Sequence, residues 1–178
     1  MPRLLLSLLA LAGLATAAGC AAERSTASAS SARVGLAEIL DDAYERRDDG
    51  SLALLGRLPA PQRVEAEPVE NRHVAGQTDT LRTLHYDGLT LEVYAVAGGR
   101  EILQEVRVTG DGYETAEGLG VGSTRAAVRG ALGEPTRSDG GTLTYDVKTS
   151  PDDLTPTTLT VRFDGDRVAA LTWSYYVD

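Results

Sequence analysis

The chain has 178 residues, with 26 Asp and Glu against 17 Lys and Arg and a formal net charge of -9. Its cations are arginines apart from Lys148 and form no basic cluster, which excludes nucleic acid and anionic bilayer surfaces as main partners. A single cysteine excludes an intramolecular disulfide, so the fold must stand on its core.

Residues 1–19 place Arg3 near the free amine, then an apolar run from Leu4 to Leu14, then small residues leading into "TAAGC". The apolar run is too short to cross a bilayer as a helix, and the order of regions is that of a secretory signal. With Cys20 after Ala17, Ala18 and Gly19, the segment resembles a bacterial lipoprotein signal, whose cysteine is acylated and becomes the mature N-terminus. A lone thiol in an oxidising compartment itself calls for a covalent explanation. Each buried lipid methylene contributes about 0.8 kcal/mol, so such an anchor is effectively permanent. Ala21, where the resemblance would place Asp for retention in the inner membrane, implies transfer to the outer membrane with the protein facing the periplasm. From Cys20 to Arg33 the chain is small and polar without periodicity, a flexible tether with an end-to-end distance of about 20 Å.

Residues 34–178 suffice for one ordinary domain or two small similar ones. "VGLAEILDDAYERR" sets Leu36, Ile39, Leu40 and Tyr44 near one helical face. "TLHYDGLTLEV", Thr83 to Val93, shares its order T-L-x-Y, then L-T-aliphatic-x-apolar, with Thr142–Tyr145 plus Leu159–Phe163. Each stretch alternates with period two, which is the strand signature, and each is followed by a turn and a further alternating run, Leu103–Val108 and Val168–Trp173. The chain therefore reads as two α+β units, 34–110 and 111–178, each a helix followed by three strands. Insertions at 64–80 in the first and 148–157 in the second are candidate contact loops, and Pro151 and Pro156 forbid a central strand in the latter.

"GVGSTRAAVRGALGEP", residues 120–135, is a capped helix rather than a phosphate loop, since no Lys-Ser/Thr pair follows its glycines. Ser123 or Thr124 caps the start, Gly133 closes the end with a left-handed backbone, and Pro135 forbids continuation, while Ala126, Ala127 and Ala131 would let the helix approach a sheet closely. Through Gly122, Ser123 or Thr124, Val128, Leu132, Gly133 and Pro135, the segment resembles the SmpA/OmlA (BamE) type of outer-membrane lipoprotein and the related β-lactamase-inhibitor-like (BLIP-like) fold. The resemblance implies a helix layer on one face of an antiparallel sheet and, in tandem members, a concave sheet presented to a protein partner.

Strand parity assigns Leu89, Leu91, Val93, Leu159, Val161, Phe163, Ala169, Leu171 and Trp173 to the core. The opposite face then carries His85, Glu92, Tyr94, Arg162 and Tyr176 among threonines and Ser174, a surface fit for protein contact. His73, between Arg72 and Val74 on the first insertion, is a further candidate contact whose charge would follow pH. Nucleophile motifs and clustered metal ligands are absent from the sequence, so no catalytic residue, metal or cofactor is expected. The expectation is a lipid-anchored envelope protein that binds another protein as an assembly factor or hydrolase inhibitor; the alternative is a small-ligand carrier with its pocket between helices and sheet.

Overall fold

A computed structural model of the chain describes residues 34–147 and 157–176. The signal, Cys20, the tether and all of the second insertion but Thr157 lie outside the described residues. Eight strands, β1 (Arg63–Glu70), β2 (Thr78–Tyr86), β3 (Leu89–Ala95), β4 (Glu101–Val108), β5 (Arg137–Asp139), β6 (Thr142–Val147), β7 (Thr157–Asp164) and β8 (Arg167–Ser174), form one sheet. Every pairing is antiparallel, in the order β1-β2-β3-β4-β8-β7-β6-β5. Read inward from either edge, each half supplies its first, second, third and fourth strand in turn. Each half thus contributes four strands where three are expected from sequence.

The expected α+β architecture with helices layered on one face is overturned: the molecule is mainly β. The two α-helices among the described residues are short, α1 (Leu36–Asp41) with 6 residues and α2 (Arg125–Leu132) with 8. α1 buries Leu36 and Ile39 but stops before Tyr44, which is exposed. Asp41 and Asp42 stand at its C-terminus, where the helix dipole disfavours acids, and no basic residue lies in its last turn. Beyond it, Arg46 bridges Leu52, and Ala53–Gly56 forms a 3₁₀ turn.

α2 has the expected N-cap and a glycine at its C-cap. Thr124 Oγ1 accepts from the Ala127 amide at 3.1 Å, and Gly133 has φ 77°, a conformation strained for any side chain. Its ψ of -152° is not left-handed helical, however, so Gly133 leaves the helix by an extended route only glycine adopts. Only Val128 of this helix is fully buried, and Ala126, Ala127 and Ala131 face solvent, so the alanines do not make the sheet contact. The 3₁₀ turn and the connecting segments contribute Leu52, Leu54, Tyr113 and Leu119 to the same buried cluster.

That cluster runs through both halves. It takes Leu89, Leu91 and Val93 from β3, Val106 and Val108 from β4, Leu159, Val161 and Phe163 from β7, and Leu171 and Trp173 from β8. Ala169 departs from its expected place because an extra residue shifts the β7–β8 register between Arg162 and Phe163, which brings Val168 to the core. A matching shift occurs between Glu92 and Val93 in β3–β4. Such bulges bend a strand and increase its twist, and here they fall at corresponding points of two hairpins.

At the seam between the halves, Val106 pairs Trp173 and Val108 pairs Leu171. Aligning the hairpins on their bulges makes Val106 the counterpart of Leu171 and Val108 that of Trp173, so the two pairs exchange under a local two-fold axis through the Arg107–Thr172 pair. In the β2–β3 turn Gly88 has φ 71°, and a Cβ there would lie 2.6 Å from Gly110 Cα, so the chain leaving β4 passes too close for any other residue.

Candidate functional site

One face of the sheet is left open by the described helices and loops. Cross-strand pairing organises it into rows. The first half supplies Leu81–Tyr94–Ile102 nearest the β1–β2 and β3–β4 turns, then Thr83–Glu92–Glu105, then His85–Thr90–Arg107. The second half continues the lower rows with Thr158–Ser174 and Thr160–Thr172, and Arg162 stands opposite Ala170 beyond them. Its surface is hydroxyl-rich, while the first half is acidic, with Glu65 and Glu67 of β1 on the same side.

Glu92 and Glu105 are directly opposed. Like charges placed so are destabilising, and burial together with Glu105 and Glu67 raises the Glu92 carboxyl above its ordinary value. Among the described residues neither Glu92 nor Glu105 has an ion-pair partner. His85 is engaged at the edge instead: its Nε2 lies 3.2 Å from Glu65 Oε1 and 3.1 Å from Arg63 Nη2.

Above the first row lies a cleft of about 550 Å³. Leu81, Tyr94 and Ile102 form its floor, Val69 and Val96 add apolar walls, and Asn71, Arg72, His73, Arg100 and Gln104 supply polar lining, with Glu70 at one side. Two loops therefore make the walls, one from each hairpin turn. Both are held by one carboxylate, Asp79, which is 1% exposed. Its Oδ2 accepts from Asn71 Nδ2 at 2.7 Å and from the Tyr94 hydroxyl at 2.6 Å; its Oδ1 accepts from Gln77 Nε2 and the Ala97 amide, both at 2.9 Å. These donors, the Ala97 amide first and the Tyr94 hydroxyl next, hold the Asp79 carboxyl down at about 2. The same bond raises the Tyr94 phenol above its usual range.

Of the residues singled out in the sequence, His73 and Tyr94 share this cleft. Glu92 stands in the row below Tyr94, His85 one row further, and Arg162 on the same face in the other half. Tyr176 joins none of them. It lies past the end of β8 and is 60% exposed, whereas its neighbour Tyr175 turns inward and meets Tyr44 edge to face at 5.7 Å. The insertion 64–80 is mostly regular structure, β1 and the start of β2, with only the turn between them irregular. The cleft contains His73 but not His85, and among the described residues no group of three His, Cys, Asp or Glu is placed to hold a metal ion.

Asp79, Arg72, Arg100 and Glu105 were not predicted as site residues. Asp79 gathers partners from positions 71, 77, 94 and 97, a convergence that only the hairpin register creates. Glu105 was legible in principle, since alternation through β4 sets it on the face opposite Val106. Compared with protein families, curated proteins and solved structures, the chain matches none.

Proposed function

We propose that this chain is a non-catalytic, lipid-anchored envelope protein that binds another protein through the open face of its sheet, the partner offering a cationic surface to the first half. The opposed Glu92–Glu105 pair carries the reading. A like-charge pair on an uncovered face is a standing cost to the folded chain, and a Lys- or Arg-rich partner surface would offset it by neutralising Glu67, Glu92 and Glu105 together, Glu65 being already paired with Arg63. The tyrosine and threonines around these acids add contact area at small entropic cost. The lipoprotein-type signal over residues 1–19, followed by Cys20 and Ala21, supports outer-membrane attachment facing the periplasm.

An assembly or scaffolding role is favoured over hydrolase inhibition. Inhibition by insertion of the first candidate loop into an active-site cleft is disfavoured, because segment 64–80 is largely paired strand that extends the open face. The test is affinity capture from envelope extract with the full chain against the Glu92→Gln, Glu105→Gln double variant, at low and raised salt. A partner lost both by the variant and by salt supports the reading. Equal recovery by both chains overturns the chosen face. Cys20→Ala is expected to abolish incorporation of a palmitate label and to release the protein from membranes.

A further inference from the structure

The cleft over Leu81, Tyr94 and Ile102 differs in character from the acidic rows beneath it. Arg72 reaches it from the β1–β2 turn and Arg100 from the β3–β4 turn. The chain has 26 acids against 17 basic residues, yet among the described residues neither guanidinium has a salt-bridge or hydrogen-bond partner. Glu70, also in the lining, offsets one of the two, and the Asp79 charge is already taken up by four donors. The floor between them is apolar and preset: the Tyr94 hydroxyl is tied to Asp79, so the ring offers a fixed surface level with its row neighbours Leu81 and Ile102.

A volume of about 550 Å³ lies within the range of small-molecule sites, which combine an apolar lining with a few placed polar groups. The surroundings also give polarity along the strands. Cations stand at the turn end, the apolar row comes next, and Glu92 with Glu105 closes the other end and repels a negative charge.

We propose that this cleft binds a small anionic amphiphile, its carboxylate or phosphate head between Arg72 and Arg100 and its aliphatic body over Leu81, Tyr94 and Ile102. The head is fixed at the turn end because guanidinium groups there bond oxyanions and the acids at the opposite end exclude them. The site is on the face opposite the helices, so it is not the helix-to-sheet pocket expected of a carrier, and it does not depend on the protein-docking reading. Asp79 is a positioning residue that holds both walls.

The test is calorimetric titration of the full chain with octanoate, octyl phosphate, octanol and octyltrimethylammonium, each to about 10 mM, below which a specific weak site is measurable. Saturable binding of at least one of the two anions is expected, with octanol at least about tenfold weaker and the cation without saturation. The double variant Arg72→Gln, Arg100→Gln is expected to weaken the anion by at least about tenfold at unchanged melting temperature, and Arg72→Lys, Arg100→Lys to retain part of it. Should the glutamine variant melt early, the lysine variant and the ligand series still decide. Saturation by neither anion, equal binding of anion and cation, or full binding by a folded glutamine variant would each overturn the proposal. Glu92→Gln, Glu105→Gln leaves both arginines in place, so it separates failure here from failure of the docking face.

Discussion

Leu89-Thr90-Leu91-Glu92-Val93 and Leu159-Thr160-Val161-Arg162-Phe163 are the same strand in two halves of one sheet. Both bury their first, third and fifth residues, and both carry a register shift between their fourth and fifth. On the open face they part: Glu92 stands where the other half has Arg162. Packing density constrains the inward positions, where a lost methylene is felt, while the outward ones are free to take opposite charges. The charge difference at this pair therefore lies on the face where a partner or ligand would arrive, and among the described residues the cleft and the acidic rows described above lie in the first half.

The seam is where the comparison is easiest to break. Leu171 is fully buried and pairs Val108 across β4–β8, so Leu171→Ala is expected to cost about 2–5 kcal/mol. Trp173, the only tryptophan, lies beside it and reports the seam by fluorescence. Because one core runs through both halves, urea unfolding followed by Trp173 emission and by far-UV circular dichroism should give coincident transitions. Two separate transitions would mean that the halves are independent domains.

Next in size is Asp79, which holds four donors in the first half. Its folded carboxyl is depressed from 3.8 to about 2, so its contribution to stability is fully present above 3.8 and is lost as pH falls through about 2. Asp79→Asn is expected to remove that part of the acid dependence and to speed hydrogen exchange at the Ala97 amide. Unchanged exchange there would show that the loops are held by something other than this carboxylate.

How much of this was legible in the sequence follows from what each residue buries. Period-two alternation placed β3, β7 and most of β8 on their proper faces because one side of each strand is in the core. The edge strands escaped: β1 is exposed along nearly its whole length and contains Pro68, which an edge tolerates, and β5 has 3 residues. The helical layer was overread because Tyr44 and the alanines of α2 fit an amphipathic pattern, while acids at the end of α1 and the irregular chain over the core decided otherwise. Parity set Tyr94 and Glu92 on the open face, and His73 was singled out by its place on an insertion. Asp79, which ties Tyr94 to both turns, went unmarked, since nothing near it in sequence signals a hub.

Helix capping gives a smaller test of the same contrast. α2 has a Thr124 cap, whereas Gly35 at the start of α1 makes no side-chain cap. Thr124→Ala should cost about 1 kcal/mol by thermal unfolding. Gly35→Ser should gain a few tenths of a kcal/mol, since Gly35 has φ -68° and a Cβ there meets nothing within 4 Å. A loss at Gly35 would mean that α1 starts elsewhere.

The smallest effect bears most directly on what distinguishes the halves. Glu92 has its folded carboxyl raised, first by burial and then by Glu105 and Glu67, so its charged form costs stability at neutral pH and that cost is relieved as pH falls through the folded value. Glu92→Gln should therefore stabilise the protein at pH 7, by less than about 1 kcal/mol because solvent screens a half-buried group. The gain should shrink in 1 M salt, where the screening length falls to about 3 Å. Glu92→Arg, which copies the charge at Arg162 into the first half, should stabilise at least as much by turning the Glu105 and Glu67 repulsions into attractions, while abolishing capture of a cationic partner. Stability gained together with binding lost is what a surface kept for an external partner requires. A variant that lost stability instead would show that the acidic rows are held by contacts within the fold.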